Sequence, residues 1–386
     1  MLIVYMSLFM KKIFIVICLL IFSTSTYSKH KEEEQRFTGI SYSAPGSKSY
    51  KKLDTQLIDN KLSKFVQKQL DNRDKTGLVN YLLFEDGKIV ISKKNYNEQI
   101  KKNKNLLRSN SVGKSMISYV VGHAICKGYI DSIDTKLNGW IVLNDTLYAD
   151  NTLLQVLNMT SGDHDFIGEK KYDDDGLFKG EDNKKINKRT VAESMLWFKG
   201  TRKKEENSPY NYSAMSTHVA INYAIYKAGE NYEKLLKEIF TDHVGVKDAV
   251  HFIKVSWSPK DIEKGSQRYT FFATSEDYLR VAKTIMDDYH SDSCIGNYLR
   301  TLYENRVDKK KKEYTTKKGV AQYSRQYAGQ FHISDFGVKN VVFGMDGYAG
   351  QQVIIDMTKK RIILVHTIDQ HYNWKKLVLD VIKKGK

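Results

Sequence analysis

"RSNSVGKSM", residues 108–116, admits two readings that exclude each other. Its Gly113-Lys114-Ser115 tail looks like the close of a phosphate-cradling P-loop, whereas Ser111-Val112-Gly113-Lys114 has the S-x-x-K spacing of a serine nucleophile with a lysine partner. A P-loop needs a glycine where this chain has Arg108, so that the backbone can wrap the phosphates. It also needs an apolar strand leading in, and 101–108 is mostly polar and basic. The P-loop reading fails on both counts.

The S-x-x-K spacing also occurs at Ser28/Lys31 and Ser49/Lys52, so context has to carry it. Met116, Ile117, Val120, Val121, Ala124 and Ile125 recur at helical spacing after Ser111, and Gly128 supplies a stop. Ser111 and Lys114 at i and i+3 then share one helix face. The serine sits at the helix N-terminus, where free N–H groups and the dipole favour developing negative charge. A serine hydroxyl needs a base to take its proton, and a lysine serves as one when burial disfavours its ammonium form.

The chain has 386 residues and a formal charge of +17. That length allows one large or two closely associated domains with a real core. Lys11 and Lys12 precede the apolar run 13–22 and a small polar exit ending at Ser28, which predicts a secretory signal over 1–28. Its loss removes two lysines and no acids, taking the charge from +17 to +15. No later segment reads as a membrane span. The lysines are scattered among acids, without a zinc-finger spacing, RNP motif or basic helix, and read as solvated surface rather than a nucleic-acid site. Cys126 and Cys294 remain after cleavage. One disulfide is possible, but Cys126 falls on the apolar face of the predicted helix and is expected as a buried free thiol. The ten histidines show no H-x-x-x-H or H-E-x-x-H spacing, so no metal or cofactor is expected, and His123 and His218 read as structural.

A polar leader and an amphipathic helix (Leu57, Leu62, Phe65, Val66, Leu70) occupy 29–75. Runs 78–84 and 88–92 flank Glu85-Asp86-Gly87 and predict a hairpin. Helices are expected over 152–159, 190–198, 216–228, 232–240 and 275–288, with a charged irregular stretch at 168–189. Strands are expected over 327–333, 340–345, 351–356 and 361–367, with a terminal helix over 374–382. The early and late strands must share one antiparallel sheet flanked by helices, an α+β architecture with a mainly helical lobe inserted at about 130–270.

Two further blocks follow the S-x-x-K in order. "SPYNYSAMSTHVA" (208–220) puts Tyr212-Ser213 directly before a helix, and "GMDGYAGQQVIID" (344–356) puts a glycine-flanked turn at the start of a late strand. With "LLQVLNMTSGD" (153–163), these resemble the serine β-lactamase and penicillin-binding superfamily, specifically its class C β-lactamase and esterase-like branch, over 76–386. The resemblance implies Ser111 as the nucleophile that forms an acyl-enzyme, Lys114 as its proton acceptor, and Tyr212 as the phenol facing the lysine. Tyr210 competes for that last role but lacks the adjoining small residue. The resemblance also implies an oxyanion hole from the backbone N–H groups of Ser111 and Gln351, with Gly350 and Tyr348 lining the substrate site.

Where β-lactamases carry Y-x-N this chain has Tyr212-Ser213-Ala214, and where they carry Lys-Thr-Gly it has Tyr348-Ala349-Gly350. Both the amide-recognising asparagine and the carboxylate-binding cation are missing. The "YAGQQ" ending is closer to the esterase and 6-aminohexanoate-dimer hydrolase branch. Asp163 and His164 are expected to border the pocket. The expectation is a periplasmic or secreted serine hydrolase of a small ester or amide. A β-lactamase or D-amino-acid peptidase of the same fold, and a non-catalytic envelope binding protein, are the alternatives. Oligomeric state is not legible.

Overall fold

The structure, a computed structural model, describes residues 40–166, 190–254, 267–311, 323–334 and 337–384. The signal sequence and the charged stretch 168–189 lie outside the described residues. In chain order the strands are β1 (Ile40–Ala44), β2 (Leu78–Glu85), β3 (Lys88–Lys94), β4 (Leu107–Arg108), β5 (Val250–Lys254), β6 (Gln267–Ala273), β7 (Val307–Asp308), β8 (Gln326–Ala328), β9 (Phe331–Ser334), β10 (Val342–Gly347), β11 (Gln351–Asp356) and β12 (Arg361–Thr367). They form an eight-stranded antiparallel sheet ordered β3-β2-β12-β11-β10-β9-β8-β7 and a four-stranded one ordered β1-β5-β6-β4. The early hairpin and the late strands therefore do share one sheet, through the β2–β12 pairing.

That sheet is covered on both faces, so its central strands read as unbroken apolar runs. Along β12, Ile362 and Leu364 join one core cluster while Ile363 and Val365 join the other. This is the two-residue alternation that a pleated strand imposes. One face packs against Met116, Ile117 and Val120 of the helix Val112–Cys126. The other packs against Val66 and Leu70 of the helix Lys61–Asp71 and against Leu377 and Val378 near the C-terminus. We label the helices used below α1 (Lys61–Asp71), α2 (Val112–Cys126), α3 (Leu153–Leu157), α4 (Ala214–Ala228), α5 (Ser275–Tyr289) and α6 (Cys294–Glu304). Helix α2 is buried from Val112 to Ala124, as expected of a helix that is apolar nearly all round.

Three features depart from the sequence expectations. The four-stranded sheet was not foreseen: β1 lies in the polar leader, and β5 and β6 lie within the lobe expected to be mainly helical. The run 327–333 is two strands rather than one, because Gly329 (φ 52°) and Gln330 (φ 69°) turn the chain between β8 and β9. Cys126 is not a free thiol. It is half-buried at the last turn of α2, where the helix surfaces, and is disulfide-bonded to Cys294 at the first turn of α6.

Candidate active site

The chain enters the site along β4, which pairs with β6 through Leu107 and Arg108. Ser109 then fixes the turn: its N–H donates to the Phe271 carbonyl at 2.8 Å, and its Oγ accepts from the Phe271 N–H at 2.7 Å. Asn110 is held in the left-handed region at φ 47°, an unfavourable conformation for most residues with a side chain. Ser111 follows as the N-cap of α2. A serine in that position ordinarily caps the helix by accepting from the backbone one turn on. Ser111 makes no such bond, so its hydroxyl is not spent on the helix.

That hydroxyl meets Tyr212 instead. Burial holds the Tyr212 phenol well above its ordinary value, the hydrogen bond between the Ser111 and Tyr212 side chains pulls it partly back, and the Asp346 carboxylate adds to the rise. The phenol is therefore protonated throughout the neutral range. Lys114, one turn into α2, is 1% exposed. Its Nζ lies 5.2 Å from the centre of the Tyr212 ring and 3.6 Å from that of Tyr269. The structure thus brings Ser111, Lys114 and Tyr212 together. Tyr210 packs on Tyr327, its ring 5.0 Å from that of Tyr327, which the Tyr212 ring also meets at 6.5 Å.

Gly113, the residue that gave the segment its P-loop look, has a packing role. A Cβ there would lie 2.1 Å from the Tyr269 carbonyl oxygen and 2.6 Å from Ser109 Oγ. Only a glycine lets β6 approach α2 closely enough to lay Tyr269 over the lysine.

The backbone of the β10–β11 turn closes the other side. A Cβ on Gly347 would lie 2.8 Å from the Ser109 carbonyl oxygen and 3.4 Å from Ser111 N, and Asn110 Nδ2 donates to the Tyr348 carbonyl at 3.0 Å. Gly347 is thus the part of this turn seen against Ser111, and Gln351 is its cross-strand partner in the β10–β11 pairing. Gln351 is buried, with Nε2 3.3 Å from the Thr367 carbonyl. Gly350, at φ 85°, accepts from the Tyr372 hydroxyl at 3.0 Å, while the Tyr348 side chain is 69% exposed at the rim.

Two supports were not legible in the sequence as such. Gln330, in the β8–β9 turn, accepts from Ser115 Oγ at its carbonyl (2.7 Å) and from Thr217 Oγ1 at its Oε1 (2.7 Å), and donates from Nε2 to the Leu157 carbonyl (2.7 Å). It fastens α2, α4 and the end of α3 to one another. Asp163, expected at the pocket border, is buried, and its Oδ2 accepts from Ser213 Oγ at 2.5 Å and from the Tyr148 hydroxyl at 2.7 Å. It anchors the residue next to Tyr212. His164 lies beside it, half-buried, with Nε2 3.3 Å from Asp165 Oδ1. His218 is buried on α4 with its ring 5.3 Å from that of Tyr269.

No protein-family model matches the sequence, and no curated protein matches it. Solved structures do. A protein provisionally titled 6-aminohexanoate-dimer hydrolase, from Bacillus anthracis, superposes with a TM-score of 0.62 at 13% identity, covering 90% of this chain and 89% of that one. A penicillin binding protein from Bacillus halodurans gives 0.56 at 13% identity over 84% of this chain and 99% of that one. A class C β-lactamase in complex with cefoxitin gives 0.55 at 14% identity over 82% and 95%. The chain has the α+β fold of penicillin-binding proteins and class C β-lactamases, with antiparallel sheets flanked by helices. No helix among the described residues is long and apolar enough to cross a membrane.

Proposed function

We propose that the protein is a serine hydrolase that cleaves a small ester or amide through an acyl-enzyme on Ser111. The observation that carries this is the Ser111 hydroxyl, which declines its cap position and meets the Tyr212 phenol beside the buried Lys114 amine. In this reading Ser111 Oγ attacks the substrate carbonyl carbon as its proton passes to the Lys114–Tyr212 pair. The developing oxyanion is met by the Ser111 N–H and by an N–H from the turn between Gly347 and Gln351. Tyr212 returns the proton to the leaving alcohol or amine as the carbonyl re-forms and the bond from the acyl carbon to the leaving group breaks, which leaves the acyl group on Ser111 Oγ. Water, deprotonated by the same pair, then attacks the acyl carbon and releases Ser111.

The likeness to a structure titled as a 6-aminohexanoate-dimer hydrolase supports an amide-cleaving or esterase branch. The Asp346 carboxylate, close enough to raise the Tyr212 phenol, disfavours substrates that bring a carboxylate to the same place. The Cys126–Cys294 disulfide and the signal-like 1–28 support a periplasmic or secreted location.

Hydrolysis of p-nitrophenyl butyrate tests the reading. Ser111→Ala and Lys114→Ala should each lower kcat/KM by about a thousandfold or more, with Tyr212→Phe also strongly impaired. Wild-type protein without turnover of any ester or amide, or a Ser111→Ala variant that keeps its activity, would reject it.

A further inference from the structure

Helix α2 carries a second cluster of chemically capable side chains at its far end. His123 and Tyr119 project from its C-terminal half, His243 comes from the helical segment Lys237–Val244, and Asp288 from the last turn of α5. Twelve residues at about 1.5 Å each put His123 roughly 18 Å along the axis from Ser111. One ring nitrogen of each histidine and a carboxylate oxygen of Asp288 all lie within 4.8 Å of one another.

Part of this arrangement is an ordinary buried network. Tyr119 donates its hydroxyl to Asp288 Oδ2, and His243 Nε2 is 3.0 Å from both Asp288 oxygens. His123 does not fit that account. It is 8% exposed, edge-on to His243 at 5.3 Å between ring centres, and its Nε2 is buried with no hydrogen-bond partner. A buried nitrogen left unsatisfied in this way is destabilising unless something binds it.

We propose that His123, His243 and Asp288 form a binding site for a divalent metal ion of the zinc class. Two imidazoles and a carboxylate, with a tetrahedral fourth place for water, are the donor set that zinc takes. Zinc–ligand bonds of ~2.0–2.1 Å require donor atoms closer together than the 4.8 Å limit, a contraction within reach of side-chain rotation. His243 is half-exposed and gives the ion a route in. The site is structural in character. It ties α2 to α5 and to Lys237–Val244, next to the place where the Cys126–Cys294 bridge ties α2 to α6. The nucleophile's helix would then be pinned at the end remote from the chemistry.

The test uses the full mature protein with its disulfide intact, stripped by chelator and titrated with zinc chloride alone in a calorimeter. One ion per chain should bind with micromolar or tighter affinity and raise the melting temperature. His243→Asn removes a half-exposed ligand with little risk to folding and should weaken binding by about 100-fold and abolish the melting shift. Asp288→Asn should do the same. His371→Asn, at an exposed histidine beside Asp369, should change neither. Absence of a one-to-one site in the wild type, or equal binding by His243→Asn, would overturn the proposal.

Discussion

The Gln330 side chain accepts a hydrogen bond from Thr217 Oγ1 at 2.7 Å, linking the turn between β8 and β9 to the helix that follows Tyr212. The same residue's carbonyl accepts from Ser115, one position past Lys114. Two elements far apart in sequence, one bearing Ser111 and Lys114 and the other Tyr212, are thus set in register by a single residue. Gln330→Ala leaves the buried Thr217 hydroxyl and the Leu157 carbonyl without their side-chain partner. It should cost about 1–3 kcal/mol in urea unfolding and lower kcat more than it raises KM. An unchanged unfolding midpoint and unchanged kcat would remove Gln330 from this role.

Asp346 gives a prediction about substrate charge. Asp346 directly precedes Gly347, whose Cβ position lies 3.4 Å from Ser111 N, and its carboxylate contributes to the rise of the Tyr212 phenol. Asp346→Asn should improve kcat/KM for a carboxylate-bearing substrate such as nitrocefin by about tenfold, equivalent to about 1.4 kcal/mol, while altering turnover of neutral p-nitrophenyl butyrate much less. Equal effects on both substrates would mean that the carboxylate acts on the site's shape rather than on charge.

His366 on β12 sets an acid limit on stability. It is buried with its ring 4.6 Å from that of Tyr278, and burial pushes its imidazole down to about 3. The unfolded chain therefore binds a proton at this residue that the folded chain refuses. The associated stability is fully present above about pH 6.5 and falls as the pH drops toward 3, by roughly 3 kcal/mol at pH 4. His366→Asn should flatten this part of the stability–pH curve measured by denaturant unfolding. A wild-type curve that is level between pH 6.5 and 4 would contradict the assignment.

The bridge between Cys126 and Cys294 closes a loop with a sequence separation of 168. Constraining so long a loop in the unfolded chain is worth about 2–5 kcal/mol. Reduction, or the paired change Cys126→Ser with Cys294→Ser, should lower the melting temperature, and a melting curve indifferent to reductant would contradict the pairing.

Much of the fold was legible because local patterns carried it, and the family resemblance pointed to Ser111, Lys114 and Tyr212, which the structure places close together. The helical spacing of Met116, Ile117, Val120 and Val121 set Ser111 at a helix start, and the apolar runs at Gln351–Asp356 and Arg361–Thr367 marked two late strands. What escaped depends on contacts distant in sequence. Gly113 is a glycine because the Tyr269 carbonyl occupies the space of its Cβ, and nothing near residue 113 reveals β6. Cys126 is bonded to Cys294 across the ends of two helices, one of which, Cys294–Glu304, was not foreseen. His123, His243 and Asp288 have no motif spacing and meet only because three helical segments converge. The turn at Gly329-Gln330 looked like strand because the residues on either side alternate as strands do.

The most direct measurement of the central claim is labelling of the purified protein with a fluorophosphonate, followed by mass mapping of the adduct. The account predicts one adduct per chain, on Ser111, lost in Ser111→Ala and much slowed in Lys114→Ala. A well-folded wild type that takes no label, or an adduct mapped to any other residue, would contradict it.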